Sequence, residues 1–172
     1  MIRHLTPADY TAMPWANGRG TTIEMLRENY ANGKIFFRLS MATVSENGPF
    51  SIFPGINRNL TVIDGPGFDL IGERKLRADP FVPVEFPGDC RIVAANVTQP
   101  SQDFNVMACK TRKIKVSIQR DGILSGYSGE LLCYFALRPA KVGPWSLDTH
   151  DLLYGRPKQM VTGGPVIVVQ ID

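Results

Sequence analysis

An all-β fold, a sandwich or barrel of short strands, is what three observations about this sequence predict. Thirteen prolines and sixteen glycines are spread along all 172 residues instead of clustering. Turn signals recur between short apolar runs. The two most clearly patterned segments, 35–44 and 103–110, alternate with a period of two, as strands do, and not with the 3.6-residue period of a helix.

Taken in order, residues 2–5 read as a first short strand. Thr6-Pro7-Ala8-Asp9 is a turn or single helical turn, with Thr6 as cap and Pro7 in the first position. Residues 13–20, MPWANGRG, form a loop, punctuated by Pro14 and Asn17-Gly18, where Gly18 and Gly20 permit positive φ. Residues 21–29 suit strand or helix; Thr and Ile at the start favour strand, which puts Thr22, Glu24 and Leu26 on one face. After the Ala31-Asn32-Gly33 turn, 35–44 is the clearest strand. One face (Ile35, Phe37, Leu39, Met41) is apolar throughout and demands burial. The other carries Phe36, Arg38, Ser40 and Ala42, which suits a partly wet cavity as well as a solvent-facing surface.

Gly48-Pro49 turns the chain, 51–53 is a short apolar segment, and Pro54-Gly55 turns it again. Strands follow at 60–64, 68–71, 74–77, 82–86 and 92–97, with Gly65-Pro66-Gly67 as a tight turn. Phe53-Pro54-Gly55-Ile56-Asn57-Arg58 is echoed by Phe86-Pro87-Gly88-Asp89-Cys90-Arg91, which predicts two similar strand-turn-strand corners. In 103–110, Asp103, Asn105, Met107 and Cys109 share one face; Phe104, Val106 and Ala108 share the other. Beyond lie strands at 113–119, 123–124, 128–129, 131–137, 145–147 and 166–171. A hairpin turn is expected at Asp121-Gly122, a Pro/Gly corner over 138–144 and a single helical turn over 148–153.

Composition excludes several function classes. The formal net charge is +3. The one basic cluster, Lys110, Arg112, Lys113 and Lys115, has no aromatic interleaving, so no nucleic-acid partner is expected. Cys90, Cys109 and Cys133 are odd in number and lack a C-x-x-C, which points to reduced thiols. No leader-like apolar run follows the N-terminus and no apolar stretch nears the ~20 residues of a membrane helix, so a cytoplasmic chain without a membrane partner is expected. His4 and His150 stand far apart with no H-x-H and no clustered carboxylates, so neither a metal nor another cofactor is expected. Gly126-Tyr127-Ser128-Gly129 lacks the last glycine of a nucleophile elbow, and Gly65-Pro66-Gly67 is followed by Leu70 where a dinucleotide fingerprint needs glycine. Cys109 has no histidine base in prospect and reads as a small buried residue.

Four blocks carry a resemblance. They are Pro14-Trp15-x-Asn17-Gly18-x-Gly20-x-Thr22-x-Glu24, Arg38-Leu39-Ser40-Met41-Ala42, Gly48-Pro49-Phe50-Ser51-x-Phe53-Pro54-Gly55-x-x-Arg58, and Asp103-Phe104-Asn105-Val106-Met107. In this order they resemble the HutD/Ves family over about the first two-thirds of the chain; the last third, from about Lys113, matches only by general β pattern. The resemblance implies a cupin-type bicupin: two fused antiparallel β-barrels in a single compact unit over residues 1–172, with swapped boundaries and a junction near 110–115. It implies no histidine-rich metal motif, frequent dimers, and hence a homodimer among the expected partners. It further implies a regulator encoded with bacterial histidine-degradation enzymes, binding a small anionic intermediate, with N-formylglutamate and urocanate as candidates.

Carried over by position, the resemblance implies a pocket of Trp15, Asn17, Glu24, Arg38, Ser40, Arg58, Asp103 and Asn105. Asn57 departs from the family's Asp before the arginine. Two guanidinium forks suit a dicarboxylate, each gripping one carboxylate by parallel charge-assisted bonds. Arg38 and Arg58 would be those forks, with Ser40, Asn17 and Asn105 as neutral partners and Trp15 as a flat wall. Arg58 paired with Asp103 or Glu24 to hold the barrel together is the structural alternative. The leading reading has no catalytic residue. Two others stay open: a metal-free cupin enzyme using Glu24 or Asp103 as general acid/base, and a protein-interaction module with exposed strand edges.

Overall fold

The computed structural model describes residues 2–123, 131–155 and 158–172. The strand expected at 128–129, the Gly126-Tyr127-Ser128-Gly129 stretch and Leu124 lie outside the described residues. The chain divides into two compact units. A central unit is formed by Thr11–Thr111, and a terminal unit by Met1–Tyr10 together with Arg112–Asp172.

The chain begins in the terminal unit, with β1 (Arg3–Leu5) and a 3-10 turn over Pro7–Asp9. Thr6 stands at the cap and Pro7 in the first turn as expected, and Asp9 adds a closure the sequence reading did not foresee: its carboxylate accepts from the Thr6 backbone N–H at 2.8 Å and from its hydroxyl at 3.0 Å.

The central unit then follows as β2 (Thr11–Pro14), β3 (Thr21–Asn29), β4 (Ile35–Val44), β5 (Gly48–Pro49), β6 (Ile56–Asp64), β7 (Phe68–Ile71), β8 (Lys75–Ala78), β9 (Val84–Pro87), β10 (Val93–Ala95) and β11 (Ser101–Cys109). Six of these form one antiparallel sheet in the order β2-β3-β4-β11-β6-β9, and four form a second, β5-β10-β7-β8. Alternation places Leu60 and Val62 of β6 and Val44 of β4 on an inner face, where they pack with Phe68, Leu70 and Ala94 of the second sheet and with Phe86. The opposite faces of β4 and β11 are buried too: Phe37, Leu39, Phe104, Val106 and Ala108 are almost wholly covered.

Three expectations are corrected here. Pro14 ends a strand instead of opening a loop; β2 is an edge strand, where a missing N–H is tolerated. Residues 21–29 are strand, but Leu26 does not share a face with Glu24. The register with β4 shifts between them, so Glu24 lies opposite Ser40 and Leu26 opposite Leu39. A β-bulge reverses the alternation at Met25, which lets both Met25 and Leu26 be buried. Gly48-Pro49 is no mere turn, since it pairs with β10.

The terminal unit resumes with β12 (Ile114–Gln119), β13 (Gly122–Ile123), β14 (Leu131–Ala136), β15 (Ala140–Val142), β16 (Trp145–Leu147), β17 (Leu152–Gly155), β18 (Met160–Gly163) and β19 (Val166–Ile171). Its sheets run β1-β17-β14-β19-β12 and β13-β18-β15-β16. Leu132, Tyr134 and Ala136 of β14 pack with Val166 and Val168 of β19 and with Val142, Leu147 and Val161 from the other sheet. The helical turn expected over 148–153 is absent. The chain turns through His150 at φ +71° and enters β17, which lies between β1 and β14. The adjacent leucines 152 and 153 are both buried because both faces of that strand are covered, a pattern that period alone does not separate from a helical one. His4 of β1 is tied to Asp151 at 2.8 Å, and the Tyr10 hydroxyl donates to the His150 carbonyl at 2.6 Å.

Among the described residues no helix is long and apolar enough to cross a membrane, and no group of three or more His, Cys, Asp or Glu is placed to hold a metal ion.

Candidate functional site

A cavity of about 410 Å³ opens within the central unit, a size that suits a small organic ligand. Its wall comes from the inner face of the six-stranded sheet. Register sets the polar part: on that face Met107 stands between Arg38 and Arg58, and Asn105 between Ser40 and Leu60. Arg38, Ser40, Arg58, Asn105 and Met107 all line the cavity. They stand where the apolar core, continued by Leu60 and Val62, gives way to polar side chains.

Arg58 is only 5% exposed, less than Arg38 at 8%. Phe50, Phe53 and Phe86 each present a ring within 5.0–5.4 Å of its guanidinium carbon. Such rings attract a cation by their negative faces, most strongly where water is excluded. Nη1 donates to the Ser51 carbonyl at 3.3 Å and Nη2 to Asn105 Oδ1 at 3.0 Å, while Nε has no partner among the described residues. Burial lowers the Arg58 pKa to about 10, with Asp103 acting in the opposite sense. The group still carries its charge at neutral pH.

The echoed sequence explains the cage. Its two Phe-Pro-Gly corners interlock: Phe53 N–H donates to the Gly88 carbonyl at 2.8 Å, and Gly88 N–H donates to the Ile56 carbonyl at 2.7 Å. Each corner therefore aims its phenylalanine at the same arginine. Gly88 is fixed by this approach, because a Cβ there would lie 2.6 Å from the Phe53 carbonyl oxygen.

Arg38 is differently placed. Its Nε donates to Glu24 Oε2 at 2.6 Å, so its charge is neutralised on the β3 side. Glu24 itself is not among the lining residues. Asp103 also stands behind the wall: it is wholly buried, and Oδ1 accepts from Asn105 Nδ2. Its Oδ2 has no partner among the described residues. Burial pushes the Asp103 carboxyl up to about 7, against the pull of Arg58. Asn105 thus bridges a cation and a carboxyl, accepting from one and donating to the other. Direct pairing of Arg58 with Asp103 or Glu24 does not occur.

Trp15 and Asn17 join the lining from the 15–20 loop. Trp15 Nε1 donates to Thr22 Oγ1 at 2.9 Å, and the ring lies against Gly20, where a Cβ would come within 2.7 Å of it. Asn17 caps the loop locally by accepting from the Arg19 N–H at 3.0 Å. Of the eight site residues expected from the sequence, six therefore line the cavity, and Glu24 and Asp103 support it from behind. The sequence reading missed Phe50, Phe53 and Phe86. The repeated Phe-Pro-Gly was their signal, but its meaning depended on knowing that the two copies pair.

The HutD family profile matches residues 7–159. An uncharacterized 21.2 kDa protein in the hutC 3′ region of Pseudomonas putida is 34% identical over 114 residues, 64% of this chain and 60% of that protein. The match thus spans less than two-thirds of that relative's length. The structure of HutD from Pseudomonas fluorescens SBW25, in a formate condition, superposes with a TM-score of 0.88 at 29% identity, covering 100% of this chain and 98% of that one. A conserved protein of unknown function from Pseudomonas aeruginosa PAO1 gives 0.86 at 26% identity, covering 100% and 99%.

Proposed function

Because the chain belongs to the HutD family and has its cupin-type all-β fold, we propose that it is a cytoplasmic, non-catalytic regulator of bacterial histidine utilization. It takes an anionic intermediate such as N-formylglutamate or urocanate into the central-unit cavity. The setting of a relative in a hutC 3′ region supports the pathway. One observation carries the ligand class: Arg58, a caged guanidinium on the cavity wall, is in no ion pair among the described residues. A buried cation without a direct counter-charge is costly, and a ligand carboxylate relieves that cost by charge-assisted bonds.

The same geometry supports binding over catalysis. Glu24 is engaged by Arg38 and Asp103 lies beneath Asn105. Solvent-exposed Glu46, itself paired with Arg19, is the acidic side chain left among the described lining residues. No carboxyl is thus poised as a general acid or base against a ligand on Arg58.

Titration calorimetry with N-formylglutamate and urocanate, followed by NMR of the ligand, tests this reading. Saturable binding is expected, weakened at least about 30-fold by Arg58→Met, since losing a buried charge pair costs roughly 2 kcal/mol or more. Absence of heat with both compounds from folded protein overturns the ligand assignment, and conversion of either compound overturns the non-catalytic one.

A further inference from the structure

Asp103 is a carboxyl that the binding reading does not use. It is sealed from the cavity, yet connected to it through one side chain. Its Oδ1 accepts from Asn105 Nδ2, and Asn105 Oδ1 accepts from Arg58 Nη2 at 3.0 Å. The Asn105 amide is thereby oriented with its positive end towards the carboxyl and its negative end towards the guanidinium. Oδ2 has no partner. A carboxylate buried with one oxygen unsatisfied is expensive to keep ionised, and nearby positive charge is what opposes its protonation.

We propose that Asp103 is the internal counter-ion of Arg58, and that a carboxylate ligand enters the site together with one proton, which goes onto Asp103. The proposal rests on the reading that an anion binds at Arg58. A ligand carboxylate on Arg58 offsets the guanidinium charge and adds a like charge near Asp103; both effects favour the protonated carboxyl. The proton comes from solvent, so the added ligand charge is balanced inside the protein.

The surroundings of Asp103 leave Arg58 as its controlling charge. Its cross-strand neighbours are Ala42 on β4 and Val62 on β6. Arg38, on β4, lies nearer Arg58 and is itself neutralised by Glu24 of β3. The facing sheet contributes Phe68, Leu70 and Ala94, all apolar. Burial pushes the Asp103 carboxyl up to about 7 and Arg58 lowers it. Free protein is therefore partly ionised at this position near neutrality, which is the condition for measurable proton uptake.

The sign follows from linkage. Below about pH 6 Asp103 already holds its proton, and affinity is flat. Between the free midpoint near 7 and the raised midpoint of the complex, binding takes up protons and the dissociation constant rises with pH, by about tenfold in all for a one-unit rise in midpoint. N-formylglutamate is the first probe, by calorimetry from pH 6 to 9 in two buffers of different ionisation enthalpy. For a midpoint that rises by one pH unit, uptake of roughly 0.4 proton per ligand is expected at pH 8, more for a larger rise, and about a tenth or less at pH 6. In Asp103→Asn, which keeps an acceptor for Asn105, uptake vanishes and affinity loses its pH dependence. Carboxyl carbon NMR, with formate as a minimal carboxylate, follows the Asp103 midpoint directly. It is expected to rise by at least about one pH unit with saturating formate, and to rise in Arg58→Met or in Asn105→Ala. Binding with no proton uptake and an unmoved midpoint overturns the proposal while leaving the binding reading intact. Failure of both probes to bind sinks the binding reading and the ligand half of this one. A midpoint unmoved by Arg58→Met and by Asn105→Ala sinks the counter-ion assignment whatever binds.

Discussion

At the scale of single residues, three charged groups of the site are given three different treatments. Arg58 is caged, Arg38 is neutralised and Asp103 is sealed. Because Asp103 has a folded-state pKa raised to about 7 from an ordinary value of 3.8, its contribution to stability is fully present below pH 4. It is lost as pH rises through 7. Asp103→Asn should remove that slope, so the variant gains stability relative to wild type by a few kcal/mol between pH 4 and 8, read from urea denaturation at each pH. Glu24→Gln keeps a hydrogen-bond acceptor for Arg38 and deletes the charge that neutralises it. Anion affinity at the cavity should then rise by roughly 3- to 10-fold, more for a dicarboxylate than a monocarboxylate, in parallel calorimetric titrations.

At the scale of elements, the paired Phe-Pro-Gly corners hold the cage. Gly88→Ala forces a Cβ against the Phe53 and Ile56 carbonyl oxygens, which are backbone and cannot swing away. A loss of about 2 kcal/mol is expected, seen as a melting temperature lower by roughly 4–8 °C, together with weaker anion binding. The strands were largely legible because β4 and β11 each carry an apolar face that only a period of two explains. Arg38, Ser40, Arg58 and Asn105 were legible for the same reason, as polar residues on a face that register then brings together. Two features were not. The bulge at Met25 changes the face of β3 without any glycine or proline to announce it. The partnership of Glu24 with Arg38 instead of Arg58 is decided by which strand lies next to β3, and spacing along one chain does not contain that.

At the scale of the whole molecule, every residue that lines the cavity lies within the central unit. Ligand-induced protection from hydrogen exchange should therefore concentrate in residues 11–111, with β4, β6 and β11 most affected. Removing residues 1–9 should instead act on the terminal unit: β17 loses its partner β1 and Asp151 loses His4. Faster exchange of β17 amides, with anion affinity retained, is the expected result. The pairing of β1 with β17 also sets an order of events during synthesis. Residues 3–5 are made before the whole central unit and their partners at 152–154 after it, on the order of ten seconds later at typical elongation rates. All strands of the central unit are translated within that interval. A nascent chain therefore carries β1 without its partner while the central unit assembles, so the cavity can be complete before the strand that pairs with β1 has been made.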